Sequence, residues 1–340
     1  MTALPTDTEE PMLEVYKRAS RTVERELQVQ LEPVSGRVPE GLRGVLFRNG
    51  PGRNELFGVP YGHPFDGDGM ITRFEFNDGG VRYRNRFVRT RELTEELRAG
   101  KPLYRSFGTN LPGGLSRNLA RLRFKNAANT SVIDHGGHLL ALWEGGWPHR
   151  LDPDSLETLG RFDYDGRLLN RNSWVDRVMA PELPFSAHPK FCSRTGEMVN
   201  FGMALGVKNR LMLYRVDPLG RMAPPTSHTL DALSFVHDFV MTERHLVFFL
   251  PAVAFNVPRT LAGFSTPVDS LTALDRPTRV LVLSREDFRI VGELNASPGF
   301  IFPFANAYER HGEFGVDGLQ MPRLPDGDAI RDLLAGRDPE

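Results

Sequence analysis

Cysteine is nearly absent from the chain: Cys192 is the single cysteine among 340 residues. An internal disulfide and a cysteine-based metal site are therefore excluded, and a reducing compartment is expected. No apolar run reaches the length of about 18 residues that a membrane-spanning helix needs. The first residues, 1–7, lack the basic and apolar segments of a signal peptide, so we expect a cytoplasmic location.

An excess of charge of either sign is also absent. The chain has 42 Lys and Arg against 43 Asp and Glu, which gives a net charge of -1. This balance argues against nucleic acid as a partner, because a polyanion is usually met by a basic surface. Glycine and proline are plentiful, at 33 and 26 residues. Such a composition favours a turn-rich, all-β chain.

A repeated unit organises the chain from about residue 129 onward. In each unit an extended stretch, a turn and a second strand are followed by a second hairpin. The units begin in the segments 129–144, 185–203, 235–250 and 302–316. Four strands repeated roughly every 50 to 65 residues are typical of β-propeller blades. We therefore predict an all-β propeller with about five blades represented.

Two of these units place a histidine at the same offset. In a propeller the first strand of each blade lines the central axis, and His188 and His237 are expected on such strands. Two imidazoles aimed at one central point would build a metal site. At the same offset in the next unit the residue is Pro303, which cannot ligate a metal.

The remaining segments suggest a simple domain organisation. Residues 1–35 are predicted to be an N-terminal tail and strap with one helix near 14–30, and 36–340 the propeller domain. A short helix is expected over 92–99. The insertion 251–277 is long enough to cap a substrate tunnel.

Residues 110–126 interleave leucines with arginines and a lysine. One interpretation is a loop helix that packs on the propeller, and the other is a patch that docks on a membrane surface. The sequence leaves both interpretations open. The other seven histidines fall in or beside predicted turns and are expected to be solvated: His63, His135, His138, His149, His228, His245 and His311.

Several ordered motifs resemble those of the carotenoid cleavage oxygenases, most closely the bacterial apocarotenoid oxygenases. The resemblance extends from about residue 30 to 325. The matching motifs are GVLFRNGPG at 44–52, FDGDGM at 65–70, NTSV at 129–132, LALWEGG at 140–146, SAHPK at 186–190, VHDF at 236–239 and NAYE at 306–309.

The resemblance implies a seven-bladed propeller with Fe(II) on its axis. In that family four histidines hold the iron, glutamates orient three of them, and O₂ takes the open positions. By resemblance, His188 and His237 match the first two iron ligands and Glu144 matches the glutamate that orients the second. Thr130 and Trp143 match residues beside the iron.

The implied reaction is oxidative cleavage of a carbon–carbon double bond in an apocarotenoid or related polyene, with O₂ and non-heme Fe(II). The chain departs from the family at Pro303, which takes the place of the third ligand. The fourth ligand and two glutamates would lie beyond residue 340, so the chain is expected to be a family member shortened at its C-terminus. An alternative function is that of an inactive, polyene-binding relic.

Overall fold

A computed structural model of the chain describes residues 14–15, 18, 20–121, 123–231, 234–311 and 313–321. Strands account for 43% and helices for 11%, so the chain is nearly all β. The strands form four four-stranded sheets, a longer two-stranded hairpin and two small hairpins. The predicted all-β propeller architecture is confirmed.

The region of the first sheet contains β1 (Gln28–Leu31), β2 (Gly44–Arg53), the small hairpin of β3 (Glu55–Leu56) and β4 (Val59–Pro60), β5 (Asp68–Asn77) and β6 (Gly80–Phe87). The sheet has the strand order β1-β6-β5-β2 and is antiparallel throughout. Between β5 and β6 the turn residues Asp78 and Gly79 have φ of 46° and 77°. Positive φ at both positions is what a two-residue hairpin turn requires, which explains this sharp reversal.

The second and third sheets are antiparallel and follow chain order. The second contains β7 (Ser131–His135), β8 (His138–Leu142), β9 (His149–Leu151) and β10 (Thr158–Arg161). The third contains β11 (Lys190–Phe191), β12 (Met198–Ala204), β13 (Asn209–Val216) and β14 (Thr226–Leu230).

The fourth sheet is interrupted by the predicted insertion. It contains β15 (Val240–Met241), β16 (His245–Leu250), β19 (Thr278–Ser284) and β20 (Ile290–Ala296), with the hairpin of β17 (Val253–Phe255) and β18 (Leu271–Ala273) inserted. The long hairpin of β21 (Phe300–Arg310) and β22 (Glu313–Met321) follows.

The α-helices of the described residues are short, and all lie between sheets in sequence except the last, which lies in the insertion of the fourth sheet. They are α1 (Arg91–Ala99), α2 (Leu115–Asn118), α3 (Trp174–Met179) and α4 (Val257–Leu261). The predicted helix at 92–99 is confirmed as α1. Its first turn is capped by Thr90, whose Oγ1 accepts from the backbone N–H of Leu93. In the part of the chain that the structure describes, no helix could cross a membrane.

The second and third sheets are each buried on both faces, as the blades of a propeller are. In β12, Met198 packs toward the second sheet, whereas Val199 and Phe201 pack toward the fourth. Alternate side chains of a strand point to opposite faces, so one strand can serve both clusters. Val282 of β19 packs with Phe304 of the terminal hairpin in a further cluster. Neighbouring sheets are therefore held face to face by apolar side chains.

The first strands of the third and fourth sheets are shorter than predicted. β11 and β15 have two residues each, and His188 and His237 precede them in irregular segments. The expectation that both histidines lie on the innermost strands is wrong in this detail. Side chains satisfy part of the backbone on the N-terminal side of His188: Asn200 Nδ2 donates to Ser186 O at 2.7 Å, and Ser131 Oγ to Ala187 O at 2.6 Å.

The predicted N-terminal helix is mostly not found. Glu14, Val15 and Arg18 are helical, residues 21–27 are irregular, and 28–31 form β1. β1 pairs with β6, whose edge would otherwise expose a row of unpaired backbone groups. Residues 1–13 lie outside the described part, so the tail and strap over 1–35 stays a prediction.

The segment 110–126 is buried at its ends and exposed in its middle. Leu111 and Lys125 are buried at its two ends, whereas Leu115 and Leu119 are 44% and 57% exposed. Lys125 Nζ lies 2.7 Å from Asp68 Oδ1 and 2.8 Å from Glu96 Oε2. Such a buried, fully paired cation fixes the end of the segment to the first sheet and α1.

Two histidines that were expected to be solvated are buried. His63 and His149 are 5% and 1% exposed, and both ring nitrogens of His149 are buried without a hydrogen-bond partner. His149 lies on β9, opposite Arg161 of β10. Burial, followed by the nearby Arg161 guanidinium, lowers the pKa of His149 from 6.5 to about 4.

This lowered pKa predicts a specific acid sensitivity. The unfolded chain binds a proton at His149 near pH 6.5, whereas the folded chain does so only near pH 4. The stabilising contribution is thus complete above pH 6.5 and is lost as the pH falls toward 4, by on the order of 3 kcal/mol. His149→Leu should remove this loss, so the unfolding free energy of the parent should fall relative to that of the variant as the pH falls from 7.5 to 4.5. Parallel urea-unfolding curves for parent and variant at every pH would contradict this prediction.

Candidate metal centre in an apolar cavity

A cavity of about 800 Å³ opens among the loops of the four sheets. Its wall is mainly apolar and includes seven phenylalanines, which are Phe65, Phe107, Phe124, Phe201, Phe235, Phe255 and Phe302. Residues of the 251–277 insertion take part, as expected of a segment that caps a tunnel. A cavity of this size and lining suits a large, apolar ligand.

All five residues predicted for the site line this one cavity. They come from the second, third and fourth sheets. Each lies just before the first strand of its sheet or just after the second strand. Thr130 precedes β7, Trp143 and Glu144 follow β8, His188 precedes β11 and His237 precedes β15. The sheet-to-sheet packing thus brings together side chains that are far apart in sequence.

Glu144 is in contact with both histidines. Its Oε1 touches His237 Nδ1 and lies 3.6 Å from His188 Nε2. The ring centroids of the two histidines are 4.5 Å apart. One nitrogen or oxygen atom from each of the three residues lies within 4.8 Å of the other two. This is the spacing of a group that could share one metal ion.

The free atoms of the two imidazoles fit a metal. Nε2 of His188 and Nε2 of His237 are both buried, and neither has a hydrogen-bond partner. An unpaired buried nitrogen is costly unless a ligand satisfies it. In the tautomer that carries its proton on Nδ1, His237 donates to Glu144 and keeps a lone pair on Nε2 for a metal.

The carboxyl group of Glu144 is ionised at neutral pH. Burial alone would raise its pKa, but its contacts with His188 and His237 outweigh burial and lower the pKa below its usual value. The contact with His237 is therefore a charge-assisted one, which is the stronger kind of hydrogen-bond interaction.

Thr130 and Trp143 line the same cavity as this group. Thr130 Oγ1 donates to Asn129 Oδ1 at 3.2 Å. A Cβ at Gly145 would lie 2.6 Å from the ring of Trp143, so the absence of a side chain at Gly145 makes room for the indole against the backbone. The motif around Glu144 thus fixes an aromatic face at the cavity wall.

Pro303 does not line the cavity, although it has the same offset in its repeat unit as His188 and His237. Pro303 is exposed and is not among the cavity-lining residues, whereas the preceding Phe302 lines the cavity. The Phe302 ring meets the His237 ring edge-on, with centroids 4.1 Å apart. The register of β21 against β22 shifts at this point, which strand alternation alone could not reveal. Phe302 is therefore a site residue that the sequence pattern did not identify.

Two charged pairs in the wall were also not predicted. Arg161 contacts Glu182 and stacks on Trp147, and Arg123 donates to Glu92 Oε1 at 2.7 Å. The partners are 21 and 31 residues apart in sequence, so no local spacing links them. Their charges are paired within the described wall, which keeps the cavity close to neutral.

Known proteins share this fold and sequence. Residues 20–337 match the family described as retinal pigment epithelial membrane protein. The apocarotenoid-15,15'-oxygenase of Synechocystis sp. is 35% identical over 330 residues, which cover 94% of this chain and 64% of that protein. The isoeugenol monooxygenase of Pseudomonas putida is 31% identical over 300 residues, covering 86% of this chain and 58% of that protein.

A solved structure agrees with the sequence comparison. The crystal structure of a cobalt-substituted Synechocystis apocarotenoid oxygenase superimposes with a TM-score of 0.83 at 34% identity, covering 93% of this chain and 66% of that one. The chain therefore belongs to the carotenoid cleavage oxygenase family, as its motifs predicted. It spans about two thirds of the length of the Synechocystis enzyme. Members of this family use a metal.

The contact between Glu144 and His237 generates a prediction. Glu144→Gln keeps an oxygen acceptor but removes the charge, so it should weaken metal binding by about 10–100-fold. Equilibrium titration with Co²⁺ under anaerobic conditions would measure the change. Glu309→Gln is the matched control, because Glu309 Oε1 lies 3.0 Å from His245 Nδ1 outside the cavity. Equal cobalt affinity in parent and Glu144→Gln would leave Glu144 with a purely structural role.

Proposed function

We propose that the chain binds Fe(II) through His188 and His237 and cleaves a carbon–carbon double bond of an apocarotenoid or related polyene with O₂. One observation carries this proposal: two imidazoles with unpaired Nε2 atoms and one ionised carboxylate meet at the wall of a large apolar cavity. The oxygenase names of the relatives support the reaction class.

Iron is the metal that we propose, although imidazole nitrogen also suits zinc, copper and nickel. Fe(II) would supply open coordination positions for O₂. In the proposed site His188 and His237 hold the ion, while Glu144 fixes the ring orientation of His237 through Nδ1. The carboxylate also makes the imidazole a better donor.

The apolar cavity wall would bind a polyene and shield it from water. Phenylalanine side chains and Trp143 offer flat apolar faces to a conjugated chain, and burial of such a ligand is favourable by about 25 cal/mol per Å² of apolar surface. We assign Trp143 and Thr130 to the wall next to the reacting bond. Cleavage with both atoms of O₂ leaves a carbonyl on each carbon of the former double bond.

A second candidate function is polyene binding without cleavage. Phe302, not an imidazole, packs against His237, and Pro303 offers no ligand. Two imidazoles hold Fe(II) less firmly than a fuller set of ligands would. The same cavity could then bind the polyene and leave it intact.

Three measurements on one preparation separate these functions. Quenching of tryptophan fluorescence by an apocarotenal reports binding, because Trp143 lines the cavity. Anaerobic Fe(II) titration reports the metal, and loss of the visible polyene absorption after O₂ is added reports cleavage. We expect all three for the parent, and loss of iron and cleavage without loss of quenching for His188→Ala. His135→Ala is the control histidine outside the cavity.

Quenching and iron binding without cleavage would favour the binding protein. No quenching by any polyene would contradict both functions.

We further propose that residues 110–126 contact a membrane surface, from which a water-insoluble polyene could enter. Leu115 and Leu119 are exposed near Phe264, which is 74% exposed, and Arg117 and Arg121 are exposed in the same segment. Ala120 N donates to Leu261 O at 2.9 Å, which joins this segment to α4. Phe124, at the end of the segment, lines the cavity.

This surface predicts binding to anionic vesicles. The parent should sediment with vesicles that contain phosphatidylserine, and less so at high salt, because basic residues contribute to attraction. Leu115→Ser with Leu119→Ser should abolish sedimentation, while Leu219→Ser, at a leucine that is 68% exposed elsewhere, should not. A parent protein that stays in the supernatant at low salt would refute the membrane contact.

A further inference from the structure

His188 and His237 lie in segments outside the β-strands. Each histidine lies before a two-residue strand, β11 or β15. The separation of the two imidazoles therefore depends on contacts outside the β-ladders. A metal site tolerates little error in that separation, since ligand atoms lie about 2 Å from the ion.

The His188 segment is fixed by the two sheets beside it. Ser131 Oγ donates to Ala187 O, Asn200 Nδ2 donates to Ser186 O, and Ser186 N donates to Phe201 O at 2.8 Å. These bonds define the backbone on the N-terminal side of His188. They do not reach the segment that carries His237.

The His237 segment makes mainly local bonds. Among the described residues, Val236 N donates to Ser234 O at 3.1 Å, and Phe239 N donates to the Asp238 carboxylate at 2.7 Å. A link to the His188 segment must come from side chains.

One ion pair supplies such a link. Lys190 Nζ lies 2.7 Å from Asp238 Oδ1. Lys190 is two residues after His188, and Asp238 directly follows His237. The Asp238 side chain is 7% exposed and that of Lys190 28%. An ion pair with one buried partner is screened much less by solvent and salt than a pair on the open surface.

We infer that the Lys190–Asp238 ion pair is a positioning pair that sets the separation of the His188 and His237 imidazoles. This inference rests on the proposed metal-binding function. Neither residue lines the cavity. Both act through the backbone of the histidine next to them.

A purely structural pair between the same sheets offers a matched control. Arg194 NH1 lies 2.7 Å from Glu243 Oε1 and also joins the third and fourth sheets. Both side chains are exposed, at 70% and 67%, and they are in turns away from the histidines. Loss of this pair should leave the imidazoles in place.

Cobalt affinity tests the inference with a readout other than turnover. Lys190→Met and Asp238→Asn should each bind Co²⁺ about 10–100-fold more weakly than the parent and shift its visible absorption bands. The double variant should be no worse than either single variant, because both remove the same contact. Arg194→Met should bind as the parent does. Unchanged affinity and spectrum in both single variants would overturn the inference.

A metal-free measurement separates this inference from the proposed function. With histidine-selective isotope labelling, ring protons of His188 and His237 should give a nuclear Overhauser effect, since the ring centroids are 4.5 Å apart. The effect should persist in Arg194→Met and weaken in Lys190→Met while the protein stays folded. An undiminished effect in Lys190→Met would overturn the positioning role, whereas a parent that shows the effect but binds no metal would contradict only the proposed function.

Discussion

The contact of one carboxylate with two imidazoles is the interaction on which the site depends. Glu144 belongs to the second sheet, while His188 and His237 enter the third and fourth sheets. The three side chains can meet only because these sheets pack face to face around a common region. Met198 and Val199, neighbours on β12, show how: they pack on opposite faces and join the third sheet to both of its neighbours. Packing of the apolar core thus determines the relative positions of the three polar side chains.

Much of this arrangement could be predicted from the sequence. The recurring hairpins predicted the propeller. The motifs singled out five candidate site residues, and all five line one cavity. The prediction that His188 and His237 lie on strands was wrong. His188 and His237 lie outside the strands. Near His188, the side chains of Ser131 and Asn200 satisfy the backbone, which is a long-range effect that local pattern does not contain.

Two further misses have the same origin. His149 was predicted to lie in or beside a turn and to be solvated, yet it is buried and its ring nitrogens are unpaired. With regular alternation of side chains along β21, a Pro303 directed at the cavity would place Phe302 on the opposite face. Phe302 lines the cavity instead, because β21 is out of register with β22 at that point. Burial of a single residue and a register shift both depend on tertiary packing. The ion pairs of Arg161 and Arg123 also depend on tertiary packing.

The central claim is that His188 and His237 together hold one metal ion at the cavity wall. X-ray absorption at the iron edge, measured on protein loaded anaerobically with Fe(II), tests it most directly. The account predicts nitrogen scatterers at about 2 Å with the outer-shell pattern of two imidazoles, reduced to one in His188→Ala. A spectrum without imidazole scattering, or one that is the same in parent and variant, would contradict the account.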